Sequence, residues 1–495
     1  MGFSTLFFLG WLTLVSCSSQ PPLVDTAESY GSLGSINEKI MFGSKNHAST
    51  AWEDLSFQHV SRKRDSRPQL EKRAPTMSTI ARSVNPTWIL PKPPKTSCPT
   101  MWADISSTFV LGPRTGNYAQ LDRVTGFVTR KTNSASLLLN GAAYRISGVN
   151  IFWLGLDQSW KNDVENVEYP SQNRVQEAIA IAAAMGSNTI RAHTLGVSVG
   201  HALSVWPTAG QINENAFVVI DYAIYVARAY GLRLIIPLTD NWQYYHGGKY
   251  TFINWAGLSA TEANQNLFYT STPVIELFEQ YISVILNRVN TFTGVRYSED
   301  PTILAWETGN ELGGHDLKSY APPKAWTTRI AQYINKLAPK QLVADGTNGL
   351  FDNSGVVRNS GLKVKEIDII STHHYPLSVT LWQSELEKLK LYDAKNFLLG
   401  EFDWTGSYSS LSNTMTQVQN TADAGALVWS VVGHDDVCCE WKVHNDGFTL
   451  HYPNGNTGTL QDNALLLTQV LHRLRGATPP STLASVACPQ YPVTY

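Results

Sequence analysis

Two glutamates in this chain each close a short apolar run. Glu311 lies in ILAWETGNEL at 303–312, and Glu401 in FLLGEFDWTG at 397–406. Runs of this kind read as buried strands. In a barrel of parallel strands, the C-terminal strand ends converge on one face, and that face carries the chemistry. Two carboxylates delivered there from separate strands are the equipment for cleaving a glycosidic bond. Other strand ends add polar and aromatic groups: Arg191 and His193, then Asp240, Asn241 and Trp242, then Asn310, His373, Tyr375 and Trp429. Singly, each has a structural reading, such as a core tryptophan or an ion-paired arginine. Their recurrence at the same ends of successive runs is what points to a cleft.

The elements that would position them alternate along the chain. A hairpin is expected from about residue 125, followed by a strand ending at Asn150. Further strands are expected at 187–193, 232–238, 301–311, 341–345, 367–373, 396–401 and 425–431. Helical periodicity marks 172–186, 215–231 and 273–290, with helical stretches near 323–337, 379–390, 411–423 and 461–474. Strands alternating with helices predict an α/β fold, a (β/α)8 TIM barrel over 123–478. An open doubly wound sheet would announce a Gly-rich phosphate turn after its first strand, and SGVNIFW stands there instead. The interval 239–272 reads as a long loop on the barrel's upper face, where such loops shape clefts.

The 495 residues exceed the roughly 250 of a minimal barrel. A net charge of −2 gives no reason to expect nucleic acid or an anionic membrane as partner. Trp 15 and Tyr 21 in a chain only 16% charged suit sugar stacking, and equally suit a large core. Residues 1–19 have the pattern of a signal peptide, although LVSC at 14–17 also resembles a lipobox ending at Cys17. Residues 20–73 read as a pro-segment ending in the dibasic pair Lys72-Arg73, or else as a retained basic linker. An irregular arm follows at 74–122, and a C-terminal tail occupies 479–495. The expected location is therefore secreted and extracellular, with no membrane association in the mature form and a monomeric state. Secretion favours disulfides among Cys98, Cys438, Cys439 and Cys488. Barrel closure favours Cys98 with Cys488, leaving Cys438 and Cys439 free or joined to each other. Their spacing does not suit a zinc site.

Taken together, residues 125–475 resemble glycoside hydrolase family 5, and within it the fungal and plant endo-β-1,4-mannanases. Asn310-Glu311 matches the family's Asn-Glu, and His373-His374-Tyr375 its His-x-Tyr. Glu401, Arg191 and Trp429 match its remaining strand-end residues, and DNWQYYHGGKYTFINWAG resembles the mannanase subgroup. The chain departs from the family at Leu312-Gly313-Gly314, where Pro and often Arg follow the first glutamate. It departs again at Asp403 and in the loop 433–448.

The resemblance implies a retaining double displacement, with Glu401 as nucleophile and Glu311 as acid/base. Arg191 would keep Glu401 ionised, Asn310 would bind the sugar 2-hydroxyl, and Tyr375 would orient the nucleophile. His373 would support the polar network, and Trp429 would floor the cleaved sugar's subsite. Trp242 is either a sugar contact or packing beneath the long loop. No metal or organic cofactor is expected. The implied substrate is a mannan-type polysaccharide: mannan, galactomannan or glucomannan. An exo-β-mannosidase, a β-glucan hydrolase on the same scaffold, and a non-catalytic carbohydrate-binding protein are the alternatives.

Overall fold

The computed structural model describes residues 124–161, 164–392, 394–435, 440–484 and 486. The signal peptide, pro-segment and arm expected at the N-terminus lie outside the described residues. So do Cys98, Cys438, Cys439, Cys488 and most of the tail.

Three short strands come first: β1 (Val128–Arg130), β2 (Leu137–Leu139) and β3 (Ala142–Tyr144). They pair antiparallel as a meander rather than the single hairpin expected. β4 (Ser147–Asn150) then enters the barrel, and β5 (Asp157–Lys161) with β6 (Val164–Glu168) forms a hairpin outside it. The remaining barrel strands are β7 (Thr189–Arg191), β8 (Arg233–Pro237), β9 (Ile303–Glu307) and β10 (Leu342–Asp345). β11 (Ile369–His374), β12 (Asn396–Phe402) and β13 (Ala424–Val428) complete the set. All eight pair in parallel, and β13 returns to β4 through Ala426 opposite Ser147, so the sheet closes into a barrel.

Every expected strand is present, within a few residues of its expected bounds. The largest difference is at 301–311, where β9 stops at Glu307 and Asn310 and Glu311 lie in the turn beyond it. The strands are buried on both faces because side chains fill the barrel on one side and helices cover the other. The helices follow the expected periodicity, from α1 (Gln172–Ala184) and α2 (Glu214–Tyr230) onward. Gly231 ends α2 at φ +76°, in the left-handed region where a helix stop favours glycine.

The interval 239–272 is not purely a loop. It contains α3 (Lys249–Trp255) and α4 (Leu267–Thr270) and leads into α5 (Thr272–Leu286). Helices this short carry no periodic signal. They are held by aromatic packing, with the Phe252 ring 5.3 Å from Phe278 and 5.9 Å from Phe268.

The meander closes the barrel's N-terminal end. Val128, Leu137 and Tyr144 join Ile235, Leu304, Ile369, Leu398 and Leu427 in one apolar cluster. Its polar groups bind strand starts: Arg130 Nε lies 2.8 Å from Asp368, just before β11. Tyr144 Oη is 2.8 Å from Thr189 Oγ1, at the start of β7. Among the described residues, that end of the barrel is filled by this cluster.

Candidate active site

At the C-terminal end of the barrel a single arginine organises the floor. Arg191, the last residue of β7, is fully buried. Its Nε and Nη2 donate to the two oxygens of Glu307 at 2.7 and 2.9 Å. Nη1 donates to Glu401 Oε1 at 2.6 Å and to Asn150 Oδ1 at 3.2 Å. Nη2 also donates to Asn310 Oδ1 at 2.8 Å. One guanidinium therefore fixes groups from β4, β9 and β12, which only a planar multi-donor cation can do.

Glu401 lies inside β12, and its second oxygen accepts from Tyr375 Oη at 3.0 Å. The β11–β12 register shifts between Thr372 and His373, which sets His373 beside Glu401. Burial alone would push the Glu401 carboxyl up. His373, His193 and Arg191 outweigh that and hold it well below the usual carboxylate range. Tyr375 goes the other way: burial, then the charges of Glu401, Glu311 and Asp446, raise its phenol well above its ordinary value.

Glu311 stands in a different environment. Its backbone takes φ +50°, a left-handed conformation uncommon for a residue with a side chain. Its Oε1 is 2.7 Å from His373 Nδ1, and its Oε2 accepts from the Trp242 indole N–H. His373 Nδ1 is also 3.6 Å from Glu401 Oε2, so the imidazole stands between the two glutamates. Burial lowers the His373 pKa, and the two carboxylates more than reverse this, leaving it raised. Oxygens of Glu311 and Glu401 and a ring nitrogen of His373 lie within 4.8 Å of one another. Such a trio has the donor types of a metal site, but Glu401 is already committed to Arg191, so the set reads as a hydrogen-bonded acid pair.

The remaining expected residues gather at the same face. Asn310 Nδ2 donates to Asp240 Oδ1 at 3.2 Å, and Asp240 Oδ2 is 3.0 Å from His246 Nε2. Trp429 follows β13, with its ring 5.4 Å from both Phe152 and His193. Its indole N–H donates to Asp446 at 2.5 Å, which fixes the ring's edge. Arg191, Trp242, Asn310, Glu311, His373, Tyr375, Glu401 and Trp429 are thus linked by hydrogen bonds and ring contacts at one end of the barrel.

Three others escaped the sequence reading. Glu307 is only 2% exposed, and its signal was a carboxylate inside the otherwise apolar ILAWE, which must have a partner. Asp446 sits in a loop of unusual sequence, where nothing local marks it as the Trp429 partner. Tyr244, in the long interval, feels Asp240, Glu311, Glu401 and Asp446 after burial itself, and its phenol is raised well above the ordinary value. Only the fold places it near them.

A closed parallel barrel with a buried glutamate pair at its C-terminal mouth defines a glycoside hydrolase. The chain belongs to glycoside hydrolase family 5: the family model described as GH family 5 beta-mannosidase-like matches residues 125–407. Among similar proteins, mannan endo-1,4-beta-mannosidase 3 of Arabidopsis thaliana is 27% identical over 355 residues, covering 62% of this chain and 82% of that one. Putative mannan endo-1,4-beta-mannosidase P of the same plant is 31% identical over 241 residues, covering 48% of this chain. This and other plant relatives are matched over little more than half of their own length, 52% and 55% for two of them. Among solved structures, the endo-1,4-beta-mannanase from Rhizomucor miehei superposes with a TM-score of 0.57 at 23% identity, covering 70% of this chain and 99% of that one. The endo-beta-1,4-mannanase from Thermotoga petrophila gives 0.57 at 23% identity, covering 68% and 78%. At that identity the likeness shows the shared barrel.

Proposed function

We propose that the protein is a retaining endo-acting hydrolase of β-1,4-mannosidic bonds in mannan-type polysaccharides. The observation that carries the mechanism is the separation of the two glutamates, whose oxygens approach within 4.8 Å. Retaining enzymes hold their carboxyls about 5–5.5 Å apart, whereas inverting ones leave about 6.5–9.5 Å for a water. Glu401, kept ionised by its neighbours, attacks the anomeric carbon. The bond to the leaving oxygen breaks as that oxygen takes the proton of Glu311, and a glycosyl ester remains on Glu401. A water then gives its proton to Glu311 and attacks the same carbon, freeing the sugar and restoring the carboxylate.

Arg191 and Tyr375 orient Glu401, and the amide of Asn310, which spends one N–H on Asp240, has its second N–H for the sugar 2-hydroxyl. His373 bridges the two acids. Trp429 offers a ring face for the cleaved sugar, and Trp242 acts on Glu311 directly through its indole N–H. The substrate assignment follows the names of the plant and microbial relatives. The test is side-by-side hydrolysis of linear mannan, galactomannan, cellulose and an aryl β-mannoside, with the anomer of the first product read by NMR. Internal cleavage of mannan with retained anomer is expected. Release of single mannose units from chain ends supports an exo-β-mannosidase instead, and preference for cellulose a β-glucan hydrolase.

We also propose that the chain is secreted and cut after Lys72-Arg73, so that the mature protein begins at Ala74. N-terminal sequencing of secreted protein tests this, and a start near residue 18 would show the segment retained. A Cys98–Cys488 bridge belongs to the same reading and is open to non-reducing peptide mapping.

A further inference from the structure

The backbone after Glu311 is tied to the next strand exit at Leu312, whose N–H donates to Gly346 O at 2.8 Å, and it turns back through Gly314 N–H to Glu311 O at 2.9 Å. Gly313 and Gly314, just past Leu312 where the family's Pro would stand, both take left-handed conformations, φ +90° and +56°. The Gly313 N–H at its centre is taken by a side chain from a neighbouring strand exit, Asn241. Gly313 N–H donates to Asn241 Oδ1 at 3.2 Å, and a Cβ on Gly314 would lie only 2.8 Å from Asn241 Nδ2. The same Oδ1 accepts from Lys249 Nζ at 2.5 Å, and Gln265 Oε1 accepts from that ammonium at 2.5 Å as well.

Lys249 is wholly buried, with its cation 5.2 Å from the centre of the Tyr250 ring and 5.7 Å from that of Tyr269. It reaches Asn241 because Gly248 lets the helix start press on the strand exit. A Cβ there would be 2.7 Å from the carbonyl oxygens of both Asp240 and Trp242. Both hydrogen-bond partners of the ammonium are neutral amide oxygens. Burying a cation on such partners is costly, so stability is a poor reason for it.

We propose that Lys249 is a positioning residue for Glu311. Its ammonium fixes the Asn241 amide, which fixes the Gly313 turn on one side of Glu311. Through the adjoining residue it also fixes the Trp242 indole that donates to the carboxyl on the other side. The proposal rests on Glu311 being the acid/base of the reaction above. Burial lowers the Lys249 pKa to about 7, against the opposing charges of Asp240 and Glu262. Those carboxylates and the phenols of Tyr250 and Tyr269 are the titratable groups around it.

The test exploits leaving groups. Departure of a mannosyl oxygen needs Glu311's proton, whereas departure of dinitrophenolate does not. Lys249→Met should lower kcat/KM on mannopentaose about 10- to 100-fold, part of the roughly 10²–10⁴ that a general acid supplies. On dinitrophenyl β-mannobioside the change should be under about threefold by the same reasoning. Gln265→Ala, which leaves the lysine in place, should give a smaller loss with the same selectivity, and it decides the matter if Lys249→Met does not fold. Equal losses on both substrates, or no loss on either, overturn the proposal. Glu311→Ala run in parallel reads the underlying assignment: if it too loses both activities equally, the acid/base role is what has failed.

Discussion

At the scale of single residues, the two glutamates differ in their surroundings more than in their type. Glu401 is enclosed by Arg191, His193, His373 and Tyr375, and Glu311 by His373 and Trp242. Replacing either by alanine should reduce turnover by several orders of magnitude while the circular dichroism spectrum stays unchanged. Azide should partly restore the Glu401→Ala variant, giving a glycosyl azide of inverted configuration, because a small anion can occupy the vacated nucleophile position. Near-wild-type turnover in either variant would falsify the assignment. Glu307 makes a separate prediction. It is the bidentate partner of a wholly buried guanidinium, so Glu307→Ala leaves Arg191 with a single carboxylate. Removing one partner of a buried pair typically costs about 3–5 kcal/mol, and urea denaturation should show a loss of that order.

Elements set how far such residues could be foreseen. The barrel strands are legible mainly from apolar runs such as RLIIP, ILAWE, FLL and AGALV and from their alternation with helices, while β4 and β11, with more polar sequences, are legible chiefly by their place in that alternation. Asn310, Glu311 and Glu401 were legible as polar groups at the ends of those runs. The hairpin of β5 and β6 was not, since neither strand alternates in polarity, and α3 and α4 are too short to show a period. Yet that hairpin carries Asp157, which ties three segments together. Arg174 of α1 lies 2.5 Å from its carboxylate, and Lys442 of the loop after β13 lies 3.0 Å away. Burial raises the Asp157 pKa, but Arg174 and Lys442 prevail and lower it to about 2.

A depressed folded pKa means the pair's stabilisation is present above the unfolded value of about 3.9 and lost as pH falls through the folded one. Asp157→Ala should therefore cost about 3–5 kcal/mol at neutral pH. The gap in melting temperature from wild type should narrow, by about 2–3 kcal/mol in stability, as pH falls from about 4 through 2. A gap independent of pH would rule out the ion pair as its source.

For the whole molecule, the governing fact is closure. Residues of the site come from strands spread along almost the entire barrel, with Arg191 and Glu401 separated by 210 positions in sequence. The last strand pairs with the first, and Arg145, just before β4, donates to the carbonyls of Val418, Gln419, Thr421 and Ala424. That guanidinium clasps the chain's two ends of the barrel together. During synthesis the chain leaves the ribosome at about 5–20 residues per second, so early segments wait seconds for later ones. Until Ala424 emerges, β4 has an unpaired edge, Arg145 has no carbonyls to bind, and the plugged end cannot finish closing. On the proposed mechanism an emerging chain should be inert as a catalyst, because Arg191 has no Glu401 to hold until about four-fifths of it has been made. Activity should then begin only once the last strand joins β4, and a chain cut short before β13 would be left with an open sheet edge, ready to pair with another chain.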